Sequence, residues 1–260
     1  MHPRDYGQTF LSALAQKKAV KIIAGIDNTN VSEIEMLIEA AIEGGAHAVD
    51  ISADEAVINH VAALNPEICI FASSVSPEAL KYAVDSNIDA IELGNFDALY
   101  KKDQFFSAQT VFSLVNETLS LLKNSSIFSV TIPGHLSITS QAELAKSLEA
   151  RHVDLIQTEG AAQLLSKTAS VKMLTDAEKQ ALTIHNTSLI STVTRLPIMT
   201  ASGLTPKIAR QAYSVGASAV GVGAYIREGK TVKEMAARVS EIVSIAEAVS
   251  SVRTRVKAFA

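Results

Sequence analysis

The chain has 260 residues, 48% hydrophobic and 19% charged, with a formal net charge of −4 and a sequence pI near 5.9. That is an ordinary globular composition, and without a Lys/Arg run or basic-aromatic interleaving it carries no electrostatic footprint for nucleic acid. The apolar stretches fall short of the roughly 18–20 residues that cross a bilayer and no signal-peptide pattern opens the chain, so no membrane partner and a cytoplasmic location are expected.

In chain order, Tyr6, Phe10 and Leu14 recur at helical spacing and predict a helix over 4–17. Short β-rich runs follow at 20–26 (VKIIAGI), 46–52 (AHAVDIS), 67–74 (EICIFASS) and 89–94 (DAIELG). Four more occur at 127–133 (IFSVTIP), 153–159 (VDLIQTE), 196–200 and 217–223. The segments between them read as helices. EIEMLIEAAIEGG at 33–45 places Ile34, Leu37, Ile38, Ala41 and Ile42 on one face and ends in glycine, and Pro77 sits where a later helix opens. The single cysteine, Cys69, lies mid-strand and reads as a small buried core residue rather than a reactive thiol. After 159 a long stretch lacks a helical pattern until about Asp176; Ser166, Lys167 and Thr168 within it fit either a lid over a bound phosphate or a surface insertion.

Eight strands, each followed by a helix, demand parallel pairing and give the count of a (β/α)₈ TIM barrel, an α/β fold typically of about 250 residues. The expected organisation is one domain over 1–260, with 1–18 an extra N-terminal helix closing the bottom of the barrel. The turns after strands seven and eight, TASGL at 200–204 and GVGAYI at 221–226, are rich in glycine, and each opens a helix. Backbone N–H groups there are accessible to an anion, so Ser202, Gly203, Gly221, Gly223 and Ala224 are the expected phosphate-binding positions.

Strand parity sorts the interior. With Val20, Ile22, Ala24 and Ile26 toward the helices, Lys21, Ile23, Gly25 and Asp27 face the lumen, Asp27 near the C-terminal rim. The same alternation sends Asp50, Ser52, Glu92, Gly94, Thr131, Gln157 and Glu159 inward. A buried lysine either loses its proton readily, which would suit a Schiff-base nucleophile or base, or pairs with a carboxylate such as Glu92 or Asp50. Asp27, Glu92 and Glu159 come from different strands toward the face where barrels converge reacting groups, while a carboxylate in such a place equally serves as a helix cap. His135, after strand five, is a further acid/base candidate. No histidine spacing suggests a metal site.

The runs AVKIIAGIDN at 19–28, DIS at 50–52, SSVSPE at 73–78, ELGNFDALY at 92–100, SVTIP at 129–133, DLIQTEG at 154–160, MTASGL and GVGAYI resemble the hypothetical chloroplast reading frame twenty-three family of cyanobacteria and algal plastids. The resemblance spans nearly the whole chain. It implies a TIM barrel without an established reaction, places the motif at Lys21, Gly25, Asp27, Asn28, Glu92, Gln157, Thr158, Glu159, Gly160, Ser202, Gly203, Gly221 and Gly223, and implies the plastid stroma if the gene is plastid-encoded.

The expected function is binding of a phosphorylated small molecule, with lyase, isomerase or synthase chemistry on a sugar phosphate or similar carbonyl compound. Catalytic candidates are Lys21, Asp27, Glu92 and Glu159. A non-catalytic metabolite-responsive barrel and an FMN-dependent oxidoreductase stay open as alternatives, as does a homo-oligomer.

Overall fold

A computed structural model describes residues 6–100, 102–122, 126–151, 153–161, 163–165 and 171–258. Eight parallel strands close into a barrel: β1 (Ala19–Ile23), β2 (Ala48–Ser52), β3 (Cys69–Ser74), β4 (Ala90–Leu93), β5 (Ile127–Ile132), β6 (Leu155–Thr158), β9 (Ile198–Thr200) and β10 (Ala219–Val222). β1 pairs with β10 and closes the ring through Lys21↔Gly221. Between β6 and β9 the strands β7 (Gln163–Leu165) and β8 (Val171–Met173) form a separate antiparallel pair. The helices are α1 (Tyr6–Ala15), α2 (Val31–Glu43), α3 (Glu55–Leu64), α4 (Pro77–Asp85), α5 (Phe96–Tyr100), α6 (Ala108–Leu121), α7 (Ile138–Glu149), α8 (Asp176–Val193), α9 (Pro206–Ser214), α10 (Ala224–Arg227) and α11 (Val232–Ala258).

Local chemistry sets the helix starts. Asn30, Asp54, Ser76, Ser107, Ser137 and Thr205 each accept a hydrogen bond from a first-turn N–H, and Thr175 forms a capping box with Glu178. On α2 the residues Ile34, Leu37, Ile38 and Ala41 are buried as the periodicity required, but Ile42 is 41% exposed, because the stripe that meets the barrel is narrower than the apolar face of the sequence.

The lumen is layered. At its N-terminal end Ala19, Ala48, Cys69, Phe71, Ala90, Leu155, Met199 and Ala219 form an apolar cluster with Phe10, Ala13 and Leu14 of α1. The rings of Phe10 and Phe71 meet edge to face at 5.0 Å. Above lies a polar layer containing Lys21, Asp50, Ser73, Glu92, Ser129, Thr131 and Gln157, all buried. A second, larger core fills the space between strands and helices.

The strands are shorter than the runs that predicted them. β1 stops at Ile23, and the chain then turns through Gly25, whose φ is +115°. Strand alternation therefore does not carry Asp27 into the lumen; a turn brings it to the barrel mouth, where it pairs with Lys102 at 3.4 Å and its side chain is 53% exposed.

Candidate functional site

A cavity of about 610 Å³ opens at the C-terminal end of the barrel. Its walls include Gly25 and Asp27 after β1, Asn95 and Asp97 after β4, Glu159 after β6, Lys179 from α8, Ser202 and Gly203 after β9, and Gly221, Gly223, Ala224 and Arg227 at and after β10.

Two turns shape one side of this cavity. Ser202 and Gly203 have φ of +76° and +70°, two successive left-handed residues. Glycine meets that demand without strain, whereas Ser202 is held there by its contacts: its carbonyl accepts from Thr183 Oγ1 at 3.0 Å and its hydroxyl donates to Asp97 Oδ2 at 3.1 Å. After β10 the chain enters α10 through Gly223, where a Cβ would lie 3.0 Å from both Arg227 Nη1 and the Ile23 carbonyl oxygen. Arg227 Nη1 donates to the carbonyls of Ile23 at 2.6 Å and Ala24 at 3.2 Å, tying this turn to the end of β1. The first-turn N–H groups at Ala224 and Tyr225 have no carbonyl within α10 to bond.

Beneath the cavity is the polar layer. Lys21 Nζ donates to Glu92 Oε2 at 2.7 Å, and Glu92 also accepts from Ser129 at 2.8 Å and Gln157 Nε2 at 2.8 Å. Gln157 Nε2 further reaches Asn95 Oδ1 at 3.0 Å and Thr131 Oγ1 at 3.1 Å. Asn95, itself at φ +64°, donates through Nδ2 to Asp50 Oδ2 at 2.8 Å and to Ser73 Oγ at 2.9 Å, while the Ser73 hydroxyl bonds Asp50 Oδ1. Burial pushes the Asp50 carboxyl up to about 6 although Lys21 pulls it down. Asn95 is the member of this network that also faces the cavity.

A second cluster forms the cavity wall. Glu159, only 2% exposed, accepts from the Tyr100 hydroxyl at 2.6 Å through Oε1 and from the Asp97 backbone N–H at 3.2 Å through Oε2. Burial, followed by the charge of Asp97, pushes the Glu159 carboxyl up to about 8, against the opposing hydrogen bonds. Burial, followed by the charge of Glu159, raises the Tyr100 phenol in turn. Asp97 Oδ2 is ion-paired with Lys179 Nζ, and Asp97 Oδ1 is buried without a hydrogen-bond partner. His135 packs edge-on against Tyr100 and Phe105 at 5.1 and 5.2 Å, and burial lowers its pKa to about 4, so the ring is neutral at ordinary pH.

The structure thus brings Asp27, Glu159 and the five residues Ser202, Gly203, Gly221, Gly223 and Ala224 to one cavity. Lys21 and Glu92 pair one layer below and do not line it. Ser166, Lys167 and Thr168 lie outside the described residues. Asn95, Asp97, Tyr100 and Lys179 were not singled out by the sequence reading. The first three sit within ELGNFDALY, which carries the family resemblance, and Lys179 enters from a helix whose start alone was legible. Among the described residues no cluster of three or more His, Cys, Asp or Glu side chains could hold a metal ion, and no helix is long and apolar enough to cross a membrane.

A family model described as "Protein of unknown function (DUF561)" matches residues 7–254. A protein of Cyanophora paradoxa named "Uncharacterized protein ycf23" is 34% identical over 88% of this chain and 93% of its own length. Among solved structures, thiamine phosphate pyrophosphorylase from Pyrococcus furiosus superposes with a TM-score of 0.57 at 15% identity, covering 91% of this chain and 98% of that one. 3-Hexulose-6-phosphate synthase from Salmonella typhimurium gives 0.61 at 13% identity, covering 89% and 99%. At such identities the likeness is one of fold, the closed parallel barrel.

Proposed function

We propose, from the premise that this chain belongs to the DUF561 family, that the barrel binds a phosphorylated small molecule and acts on it as a lyase, isomerase or synthase of a carbonyl compound such as a sugar phosphate. In this reading the backbone around Ser202, Gly203, Gly223 and Ala224 takes the phosphate, and Gly221, where a Cβ would meet Ile23 Cδ1 at 2.8 Å, lets β10 pack closely beneath it. The carbon skeleton then extends toward Asn95 and Glu159.

The observation that carries the reading is the opening of Glu159 onto the same cavity as the two phosphate turns, with its carboxyl pushed up to about 8. Chemistry next to a carbonyl needs a proton delivered to oxygen in one step and removed from oxygen or carbon in another. A group that is partly protonated near neutral pH serves both steps. Asp27 is a further carboxylate on the cavity wall. Lys21 and Glu92 act here as electrostatic partners: their ion pair anchors Gln157, which holds Asn95 at the floor. The two neighbouring folds whose names refer to phosphate compounds support the substrate class by analogy alone.

The test is turnover. Sugar phosphates incubated with the protein and followed by ³¹P NMR should show conversion of at least one, and Glu159→Gln should lower kcat by about two orders of magnitude, the usual share of a general acid or base, while leaving phosphate binding intact. Tight binding without conversion would assign a metabolite-responsive protein, and a yellow, flavin-loaded preparation an FMN-dependent oxidoreductase.

A further inference from the structure

The proposed anchor and the proposed acid are joined by one ion pair. Lys179 extends from α8 past Gly203, whose Cβ, if present, would lie 3.8 Å from Lys179 Cδ and 3.9 Å from Cε. The ammonium ends on Asp97 Oδ2, which also accepts from Ser202 Oγ. Asp97 in turn donates its backbone N–H to Glu159 Oε2, and its own Oδ1 is buried and unpartnered. One lysine therefore stands between the Ser202–Gly203 turn and a pair of adjacent carboxyl groups.

Resting on the phosphate reading above, we infer that Lys179 is the cation that receives the ligand's phosphate, and that in leaving Asp97 it makes the Asp97–Glu159 carboxyl pair hold its proton more tightly, so that where the pair is part ionised it takes up proton from solvent. In the free protein the ammonium offsets the charge that Asp97 places beside Glu159. An anion seated on the Ser202–Gly203 turn competes for it, and the flexible lysine stem lets Nζ turn from Asp97 to the anion without moving the backbone. Two neighbouring carboxyl groups left beside an anion cannot both ionise, so one becomes the neutral acid. The proton goes to Glu159, the member of the pair whose carboxyl burial already favours in the neutral form. Ligand binding thereby keeps the acid that the reaction would use protonated to higher pH.

The groups facing Glu159 agree with this direction. Asp97 and Tyr100 come from α5, the neutral His135 packs against Tyr100, and Lys179 pairs with Asp97; Asp27, Glu33, Asp176, Arg227 and Glu228 also line the cavity. Burial first and the charge of Asp97 next raise the Glu159 carboxyl to about 8, so further negative charge beside it acts in the same direction.

Sulfate, which carries no titrating proton near neutrality, is the probe. Calorimetric titration near pH 8, where Glu159 is half ionised, in two buffers of different ionisation heat should reveal uptake of about half a proton per sulfate bound. Glu159→Gln should keep sulfate affinity and abolish the uptake. Lys179→Met should weaken sulfate about tenfold or more, whereas Lys179→Arg, which retains the charge, should bind. Sulfate binding with equal heats in the two buffers would overturn the coupling and leave the anchor standing. Unchanged affinity in Lys179→Met would overturn the role of that lysine, and no sulfate binding by the wild type would overturn both this inference and the anchor.

Discussion

Lys21 Nζ lies 2.7 Å from Glu92 Oε2 across the barrel lumen, with both side chains fully buried, and the same ammonium sits 4.9 Å from the centroid of the Phe71 ring. The pair is the junction between the apolar layer sealed by α1 and the polar layer under the cavity. Its stabilising effect comes from the bonds around it: Ser129, Thr131 and Gln157 each donate to Glu92, so no charge is left without a partner.

Removing one partner should be costly. Lys21→Met is expected to lower the free energy of unfolding by about 3–5 kcal/mol, because Glu92 would lose its counter-charge in a dry site. Adding Glu92→Gln should recover part of that loss, since the amide is uncharged and its oxygen can still accept from Thr131 and Gln157. Urea unfolding of the two variants checks this, and equal stabilities would mean that the pair is not coupled.

The pH dependence of stability should carry the signature of Glu159. Its folded-state pKa is raised from 4.5 to about 8, so between these values the native state holds a proton that the unfolded chain has lost. Stability therefore falls as pH rises through this window and levels off above it. Thermal melts of the wild type should show the decline, and Glu159→Gln should flatten it. Asp50, raised to about 6, adds a smaller decline that ends earlier.

Gly203→Ala separates fold from binding. The new methyl group would have 3.5 Å to Gln180 Cγ, enough space, but the backbone at φ +70° would cost about 1–2 kcal/mol. The protein should fold with a modestly lower melting temperature and bind phosphate more weakly. Calorimetry with inorganic phosphate decides whether this turn holds the anion.

Phe10→Ala tests how the lower end of the barrel is closed. Phe10 is completely buried against Phe71, and a truncation of this size in a core costs about 3–5 kcal/mol. The loss should appear in equilibrium unfolding. Because the cavity lies at the opposite end, ligand affinity of the folded fraction should be unchanged.

Much of this arrangement was legible beforehand for simple reasons. β-rich runs alternating with helical periodicity forced parallel pairing, and two-residue alternation placed Lys21, Asp50, Glu92, Thr131 and Gln157 inside the ring, where all are buried. Alternation fails where a strand ends. Asp27 was placed near the C-terminal rim by continuing β1 past Ile23; it reaches the cavity mouth, but through the turn at Gly25 rather than on the strand. The pair β7 and β8 went unread because three-residue strands are too short to show a period.

The sequence by itself determined the barrel, the glycine turns after β9 and β10 and the set of polar side chains in the lumen, because each depends on contacts with a local period or on a residue's own backbone preference. Only the tertiary structure decided which of those groups meet. Lys21 and Glu92 are 71 positions apart, and Lys179 and Asp97 are 82 apart. Barrel closure, strand register and the entry of α8 over the mouth set those distances, and burial in that closed space gives Glu159 a proton affinity its sequence neighbours do not reveal.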